Sequence, residues 1–378
     1  MKAAVLEDAE KMVIRDLPDP PVAPREVLVG VRAVGVCGTD LHIFRGQCNY
    51  NLDAAGKPIP LSVQPQVLGH EFSGEIVEVG RQVAGLKPGD RVLCDQGLNC
   101  HSQGRDVLCE YCASGDSHQC LFYAEHGITG RQGALAGFIA MPAVNCVKLP
   151  ENMTSAQGAL VEPLGCVLHS SDRAERAAGR YGFDGAEPIR NILISGAGPA
   201  GLLFLQVLRQ VKHFDGLILV SDLREKNLEL ARRFGGTAVN VSRENLAEVV
   251  REKTSGHGIH YLIESCGNPV IFEQIPALLR KQGTLLLYGH GHKGRDIGVM
   301  ANVLFLEPTL VAGVGASGGF DPDGRPSTYR RACELMGEGR IEALPFVTHR
   351  YSRLDDVHRA FEQDFQKPDY IKGLLSMA

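Results

Sequence analysis

The stretch NILISGAGPAG, residues 191–201, joins a run of apolar residues to a glycine-rich turn. Residues 191–195 have the length and composition of a buried strand, and residues 202–211 continue as a helical segment. A GxGxxG pattern is weak evidence alone, because glycines are common in turns, but this one closes a strand and opens a helix. That context predicts the first turn of a dinucleotide-binding βαβ unit.

Each glycine of this turn has a steric role. Gly196 allows the tight turn, Gly198 lets the backbone approach a pyrophosphate, and Gly201 lets the helix pack closely on the strand. The helix N-terminus then offers unpaired N–H groups and a positive dipole end to the phosphates. The predicted cofactor contacts in the turn are Gly196, Gly198, Pro199, Ala200 and Gly201.

An acidic residue ends the next predicted strand. Asp222 follows the apolar run 217–221 and lies 21 residues beyond Gly201. A carboxylate at that position accepts hydrogen bonds from the ribose hydroxyls of NAD and repels the 2′-phosphate of NADP. The sequence therefore predicts NAD as the cofactor, although the neighbouring Arg224 favours NADP.

The pattern of predicted strands and helices changes near residue 155. Before it, short β-rich runs such as 26–31, 74–79 and 91–93 are separated by Gly and Pro turns. After it, further apolar strands at 261–264 and 284–288 alternate with helical segments. Such strands are typical of a parallel sheet covered on both faces.

The length of 378 residues also favours two domains. We predict an α/β fold in which residues 1–158 and 308–378 form a mostly-β domain. Residues 159–307 form a doubly wound parallel-sheet (Rossmann) domain. The last 70 residues, with a helix at 328–338, return to mixed character, which indicates that they pack back onto the N-terminal domain.

Composition excludes several function classes. The net charge of −5 and the scattered basic residues argue against a nucleic-acid partner. No signal peptide is visible, and the weakly charged run 192–208 is too short and broken to span a bilayer. The sequence therefore predicts a cytoplasmic protein without a membrane segment.

Cysteine usage points to metal. Thiols of a cytoplasmic protein stay reduced, so the four cysteines within residues 100–120 suggest a metal site before disulfides. Four other cysteines lie in apolar contexts and are predicted to be small core residues. They are Cys146, Cys166, Cys266 and Cys333.

Three fragments carry further candidate ligands: GVCGTDLH at 35–42, GHE at 69–71 and VEPL at 161–164. Thiolate, imidazole and carboxylate are the ligands that zinc takes in open catalytic sites. Together with the cysteine loop and the glycine motif, their order resembles the zinc-containing medium-chain dehydrogenase family over most of the chain. The resemblance implies a GroES-like catalytic domain. The Glu-Pro-Leu fragment is similar to the polyol branch, whereas other alcohol dehydrogenases carry a cysteine there.

The resemblance also implies the catalytic zinc ligands. Cys37 and His70 would bind zinc directly, and Glu71 and Glu162 would share the remaining positions, directly or through a water. Zinc would stabilise the alkoxide of the substrate, and the alkoxide carbon would give hydride to the nicotinamide of NAD. One departure from the family is Asn227, where NAD-binding relatives often place a basic residue.

Proton removal is the other part of the implied chemistry. Thr39 would take the proton of the alcohol first, and His42, three residues on, would pass it to solvent through the cofactor ribose. We place Glu71 with these catalytic residues as well as with the ligands. A structural role for His42 stays open.

The cysteine loop resembles the structural zinc lobe of the family, whose last three ligands match Cys109, Cys112 and Cys120. The expected first ligand position holds Asp106. Cys100 is the fourth ligand if the residues between them loop out, and Asp106 or His101 is the alternative. A lobe without metal also stays open.

The predicted substrate is a small polyol or sugar with a secondary hydroxyl, and the predicted assembly is a homodimer or homotetramer. A dehydrogenase of aldoses or of amino alcohols such as threonine is the alternative, and a catalytically inactive NAD-binding relative is a further one. The loop 46–65 is expected to help shape the substrate pocket. Further candidates to line it are His126, Arg131, His290 and His292.

Overall fold

The computed structural model describes residues 1–184, 186–290 and 300–377. The chain divides into two compact units, one of Met1–Gly165 with Ala316–Ala378 and one of Cys166–Gly315. Both boundaries fall a few residues later than the predicted ones after residues 158 and 307.

The strands are β1 (Lys2–Asp8), β2 (Lys11–Asp16), β3 (Glu26–Val36), β4 (Gln66–Val67), β5 (Glu71–Val79), β6 (Arg91–Cys94), β7 (Gly97–Leu98), β8 (Ala124–Glu125), β9 (Phe138–Pro142), β10 (Cys146–Lys148), β11 (Asn191–Ser195), β12 (Leu217–Asp222), β13 (Thr237–Asn240), β14 (Ile259–Glu264), β15 (Leu279–Leu287), β16 (Thr309–Ala312), β17 (Val347–Tyr351) and β18 (Lys372–Ser376). The α-helices are α1 (Gly38–Phe44), α2 (Glu110–Ala113), α3 (Ser155–Ala159), α4 (Val161–Arg176), α5 (Pro199–Gln206), α6 (Glu225–Arg233), α7 (Leu246–Lys253), α8 (Ile271–Leu278), α9 (Ala301–Leu304), α10 (Ser327–Gly337) and α11 (Val357–Glu362). Among the described residues, none of the helices is long and apolar enough to cross a membrane.

The first unit is organised around β3. Its main sheet has the order β10-β6-β5-β3-β18-β17, and β9 also pairs with β3. The C-terminal strand β18 pairs antiparallel with β3, so the end of the chain belongs to the N-terminal unit. Val29, Val34, Phe72 and Ile76 are almost completely buried and form part of its core. Smaller sheets of order β2-β1-β4 and β7-β8 complete the unit.

The second unit contains a six-stranded parallel sheet of order β13-β12-β11-β14-β15-β16. The strands predicted at 191–195, 217–221, 261–264 and 284–288 correspond to β11, β12, β14 and β15. The strand order reverses beside β11, and in such sheets ligands bind at that point, outside the carboxyl ends of the strands. The predicted two-domain fold with a Rossmann sheet is therefore confirmed.

Candidate active site and metal centres

A buried carboxylate joins two of the motifs found in the sequence. Cys37 is the N-cap of α1, and Asp40 in its first turn is 1% exposed. Asp40 Oδ2 accepts a hydrogen bond from the Cys37 N–H at 3.0 Å, and Asp40 Oδ1 accepts one from the Gly69 N–H at 3.1 Å. Asp40 therefore fixes Cys37 relative to the residues that follow Gly69. No role for Asp40 was predicted from the sequence.

Three predicted ligands meet at this point. One ligand atom each from Cys37, His70 and Glu71 lies within 4.8 Å of the others, and His70 and Glu71 are buried. Glu71 begins β5 and pairs with Gly35 of β3. A Cβ atom on residue 35 would lie 2.1 Å from Glu71 Oε2, so the carboxylate occupies space that only a glycine leaves open.

A lysine that the sequence analysis missed holds the other side of Glu71. Lys372 is 5% exposed, and its Nζ donates to Glu71 Oε1 at 2.5 Å. Strands β5 and β18 flank β3 on opposite sides, so these two side chains meet above the glycine at position 35. Burial opposes the charge of Lys372, but the negative charges of Glu71 and Cys37 raise its pKa. No local pattern could find Lys372, because 301 residues separate it from Glu71.

The donor set fits a zinc ion. Among the described residues, Glu71 Oε2 has no hydrogen-bond partner. His70 Nδ1 faces Asp40 Oδ1 at 3.3 Å, which leaves Nε2 of the ring for a metal. Burial disfavours the charged form of His70, but Asp40 and Cys37 raise its pKa well above the ordinary value. The site thus attracts positive charge, and its thiolate, imidazole and carboxylate are zinc ligands.

Glu162 is not in this group of three and belongs to an adjacent polar network. Its Oε1 accepts a hydrogen bond from Gln96 Nε2 at 3.2 Å, and the same Nε2 lies 3.4 Å from Glu125 Oε1. The Tyr329 hydroxyl donates to Gln96 Oε1. All four side chains are buried, and burial raises the pKa of Glu125. Gln96 and Glu125 were not identified from the sequence, because they lie outside the recognised motifs.

The two proposed proton carriers lie on α1. Thr39 and His42 are both half-buried and three residues apart, so their side chains are neighbours on one helix face. His42 Nδ1 lies 2.6 Å from Gln47 Oε1. Because an amide oxygen only accepts, His42 Nδ1 is the donor in this contact, and Nε2 is the ring nitrogen left for other partners.

The other predicted pocket residues in the described part of the chain have local contacts or are exposed. His126 Nδ1 donates to the backbone oxygen of Gln132 at 2.8 Å, and Arg131 is exposed. Asn49, in the loop 46–65, donates to a backbone oxygen of the same loop at 2.7 Å. His290 belongs to the second unit and is exposed, and His292 lies outside the described residues.

The cysteine loop forms a second candidate metal centre. The Sγ atoms of Cys100, Cys109, Cys112 and Cys120 all lie within 4.8 Å of one another. The Cys100–Cys120 sulfur distance is 3.7 Å. Zinc–sulfur bonds of about 2.3 Å give a tetrahedron with edges of about 3.8 Å, so the sulfurs fit a zinc ion.

Backbone N–H groups support these sulfurs. Cys109 N–H donates to Cys100 Sγ at 3.4 Å, and Phe122 N–H donates to Cys120 Sγ at 3.3 Å. Such bonds favour the thiolate form that binds metal. The alternative ligands His101 and Asp106 are not in this group of four. The His101 ring stacks on a phenylalanine at 4.2 Å, and Asp106 is exposed.

The glycine-rich turn of the second unit has the expected steric features. Gly196 has a φ of +100°, and a Cβ on Gly201 would lie 1.9 Å from Gly196 O. A Cβ on Gly198 would meet no protein atom within 4 Å, so the backbone there is open to a ligand. Pro199 and Ala200 begin α5, whose N-terminus offers free N–H groups.

The Asp222 carboxylate stabilises this turn through hydrogen bonds. Its Oδ2 accepts from the Ala197 N–H at 2.9 Å, and its Oδ1 accepts from Arg224 N at 2.9 Å and Arg224 Nε at 3.3 Å. Asn227 is fully buried, and its Nδ2 donates to Ala197 O at 3.0 Å. The asparagine that departs from the family pattern therefore holds the turn from inside the unit.

The prediction that Cys266 is a small core residue is wrong. Cys266 is exposed, whereas the other three cysteines of that group are buried. It follows β14 at the carboxyl edge of the sheet, and a Cβ on Gly196 would lie 3.0 Å from Cys266 Cβ. Its neighbour Ser265 donates from Oγ to Ser195 O at 2.8 Å. These two residues form the second side of the glycine-rich turn, which the sequence analysis missed.

Comparison with known proteins agrees with this geometry. Residues 23–151 match the alcohol dehydrogenase GroES-like domain, and residues 199–338 match the zinc-binding dehydrogenase domain. The chain is 30% identical over 366 residues to L-threonine 3-dehydrogenase of Photorhabdus laumondii, which covers 96% of each chain.

Two solved structures from Escherichia coli have the same fold. An oxidoreductase/dehydrogenase of unknown specificity involved in membrane biogenesis matches with a TM-score of 0.82 and 29% identity, covering 100% of this chain and 99% of the other. Galactitol-1-phosphate dehydrogenase matches with a TM-score of 0.78 and 25% identity, covering 100% of both chains. The chain belongs to the zinc-containing medium-chain dehydrogenase family.

Proposed function

We propose that this protein oxidises a secondary alcohol of a polyol or sugar with NAD, at a zinc ion held by Cys37, His70 and Glu71. The observation that carries the proposal is the convergence of these three ligand atoms within 4.8 Å. When bound, zinc lowers the pKa of the substrate hydroxyl, and NAD provides the ring that accepts the hydride. A location in the cytoplasm, where thiols stay reduced, belongs to this proposal.

The residues of the chain remove the alcohol proton. Thr39 accepts this proton while its own hydroxyl proton passes to Nε2 of His42. The Gln47 amide oxygen lies 2.6 Å from His42 Nδ1, which leaves Nε2 of the ring for this step. Glu71 balances positive charge at the site, and Lys372 keeps one oxygen of that carboxylate in place.

The Glu162–Gln96–Glu125 network supports a polyol or sugar substrate. The carboxylates of Glu162 and Glu125 both lie within hydrogen-bond distance of the Gln96 amide nitrogen, in the unit that holds the ligand cluster. Burial raises the pKa of Glu125, and the charge of His70 opposes this, which places the network near that cluster. A second substrate hydroxyl can donate to such a carboxylate. Sites that pair with a substrate hydroxyl reject analogues without it by large factors.

A second candidate substrate is an amino alcohol. The same two carboxylates also suit an ammonium group, because Gln96 and Tyr329 bring no positive charge to the network. The similarity to threonine dehydrogenase supports this candidate as well. In both cases the substrate carries a polar group next to the reacting hydroxyl.

NAD is the proposed cofactor because of Asp222. Its carboxylate follows β12 at the edge where a ribose binds in such folds. Arg224, the feature that favoured NADP, donates to Asp222 and is thereby drawn toward that carboxylate. We further propose a second, structural zinc at the four-cysteine cluster, where it pins the loop and takes no part in catalysis.

A homo-oligomer is the proposed assembly. Among the described residues, strand β16 ends the order of the parallel sheet and is an edge strand. Leu310 on this strand is 44% exposed, and Phe305, Leu304 and Val314 nearby are 82%, 61% and 42% exposed. An apolar edge strand is a ready surface for pairing with a second copy.

A substrate panel tests the proposed reaction. The purified protein, NAD and either sorbitol, 2,3-butanediol, glucose, threonine, ethanol or 1-butanol are combined, and NADH formation is followed. We expect the highest kcat/KM on a polyol or sugar, whereas threonine as the best substrate selects the second candidate. A higher kcat/KM on ethanol or 1-butanol overturns both, and NAD binding without any turnover indicates an inactive relative.

The role of Glu162 is tested by Glu162→Gln. This variant should raise the KM for the best polyol more than the KM for 2-butanol, which has no second hydroxyl. Glu151→Gln, at an exposed position, is the matched control and should change neither constant. Equal effects on both substrates would remove Glu162 from substrate recognition.

A further inference from the structure

A cavity of about 320 Å³ lies within the second unit, away from the glycine-rich turn. Its walls come from the segment 174–184 and from Ile189, all of which precede β11, and from β14 and β15. Gly196 and Asp222 come at the carboxyl ends of β11 and β12, whereas this segment lies at the amino ends of the parallel strands. The cavity is therefore distinct from the dinucleotide turn, and its volume is in the range of ligand sites, roughly 300–1,000 Å³.

We propose that this cavity binds a small primary amine with an apolar body, held by the hydroxyls of Tyr261 and Thr284. Tyr261 of β14 and Thr284 of β15 are paired in register, so both side chains lie on the same face of the sheet. They are 4% and 6% exposed, and both line the cavity. Neither hydroxyl oxygen is among the buried side-chain atoms that lack a partner, so both open onto the cavity. No hydrogen bond among the described residues uses them, and both are available to a ligand that enters the cavity.

The remaining wall is aromatic and aliphatic. The Phe183 ring packs edge-to-face against the Tyr261 ring, with centroids 6.1 Å apart, and against Phe214 at 6.0 Å. Ile189 adds an aliphatic surface, and Tyr181 a further ring. This wall accepts an apolar ligand body, and aromatic rings attract a cation at their faces. Tyr181 contributes less, because the Arg280 guanidinium already lies 4.7 Å from its ring centroid.

Charge selects an amine over an acid. Glu175 and Asp184 lie at the cavity, and no Lys, Arg or His is among the described residues that line it. Lys212 donates to Glu175 at 2.7 Å, which leaves the exposed Asp184 as the stronger attraction for a cation. A primary ammonium has three N–H donors, enough for both hydroxyl oxygens and a carboxylate. A quaternary ammonium has none, and a carboxylate ligand would be repelled.

Calorimetric titration of the full-length protein tests this proposal with three probes of similar shape: 2-phenylethylamine, 2-phenylethanol and 3-phenylpropanoate. We expect the amine to bind at least about tenfold more tightly than the alcohol, since hydrogen bonds to charged groups are the stronger ones. The acid should show no binding. Equal affinity for all three probes, or no binding of the amine, overturns the proposal.

Two conservative variants locate the site. Tyr261→Phe and Thr284→Val remove only a hydroxyl, and each should weaken amine binding by roughly three- to tenfold. Thr237→Val, the same change at an exposed residue of β13, is the control and should have no effect. Asp184→Asn should weaken binding of the amine but not of the alcohol. Because Asp184 is exposed, this substitution does not disturb core packing. Amine binding that is unchanged in all three cavity variants places the amine elsewhere and refutes the proposal.

This test is independent of the proposed reaction. NAD binding at the glycine-rich turn should be the same in Thr284→Val and in the unmodified protein, and a protein that oxidises no alcohol can still bind the amine. Conversely, an active dehydrogenase that fails to bind the amine refutes only the cavity proposal.

Discussion

Glu71 has two candidate cation partners, Lys372 and a metal at Cys37 and His70. Its Oε1 receives the lysine ammonium at 2.5 Å, and its Oε2 points over Gly35 without a hydrogen-bond partner in the described part of the chain. Breaking a buried ion pair leaves an uncompensated charge, which is strongly unfavourable. The carboxylate is therefore held on one side by a fixed charge and is available to a metal on the other.

The glycine beneath this carboxylate gives the first prediction. In Gly35→Ala the new Cβ would overlap Glu71 Oε2, so the carboxylate must move and the zinc affinity of the site should fall roughly 10- to 100-fold. Gly38→Ala, where a Cβ meets no atom within 4 Å, is the control. Competition with a chelator measures the zinc affinity of each variant. Equal affinity in both variants would show that Glu71 is not a zinc ligand.

The second prediction concerns cofactor choice. Asp222→Ser should lower kcat/KM with NAD by roughly tenfold or more, because charged hydrogen bonds to the ribose are lost. The variant should also have a smaller preference for NAD over NADP. Part of the loss arises in the turn itself, since Asp222 also accepts from the Ala197 N–H. Steady-state kinetics with both cofactors measure the effect. Better kinetics with NADP in the unmodified protein would contradict the assignment.

At the scale of elements, the four-cysteine loop gives the third prediction. Cys112→Ser should remove one zinc per chain and destabilise the unit by roughly 2 kcal/mol, hence lower its Tm by roughly 4–8 °C. Cys37→Ala should instead abolish activity and remove the other zinc, with the fold retained. Cys266→Ser, outside both clusters, is the control for metal content.

Elemental analysis of the purified variants separates the two sites. A protein that binds no more than one zinc per chain would contradict the structural site. Loss of both metals in Cys112→Ser would show that the two sites are not independent.

Strand β14 gives a pH-dependent prediction. Burial and the nearby Arg280, whose Nη1 lies 2.7 Å from His260 Nε2, lower the pKa of His260 to about 4. In the unfolded chain a histidine titrates near pH 6.5, so the unfolded state binds the proton more readily. The contribution of neutral His260 to the free energy of unfolding is therefore fully present above about pH 6.5. It is lost as the pH falls from about 6.5 to 4.

The corresponding measurement is the denaturant midpoint between pH 4 and pH 7. His260→Asn should flatten its decline over this range, whereas His213→Asn, at an exposed histidine of the same unit, should keep the slope of the unmodified protein. Identical slopes in all three proteins would exclude His260 as the cause.

Elements with a local signal were predictable, and those formed by distant pairing were not. The strands of the Rossmann sheet are short apolar runs, so β11, β12, β14 and β15 could be located from composition alone. The ligands Cys37 and His70 stand in recognisable fragments. Lys372, Gln96 and Glu125 do not, because they reach the site only through strand pairing, such as that of β18 with β3. Exposure of Cys266 likewise depends on which end of the sheet its loop occupies.

At the scale of the whole molecule, the candidate metal ligands and the glycine-rich turn lie in separate units. All three clustered ligands and the Gln96 network belong to the first unit, and the glycine-rich turn belongs to the second. Metal loss and cofactor loss can therefore be measured separately. Strand β16 belongs to the second unit, so the proposed self-association concerns the unit that contains the glycine-rich turn.

The last prediction follows from that edge. Leu310→Lys places a charge on an exposed apolar strand, and charged side chains on edge strands prevent pairing between copies. The variant should have the mass of a single chain by light scattering, whereas the unmodified protein should have two or four times that mass. Leu223→Lys, at a leucine that is 64% exposed outside β16, is the matched control and should remain oligomeric. A monomeric unmodified protein, or an unchanged mass in Leu310→Lys, would show that β16 does not mediate assembly.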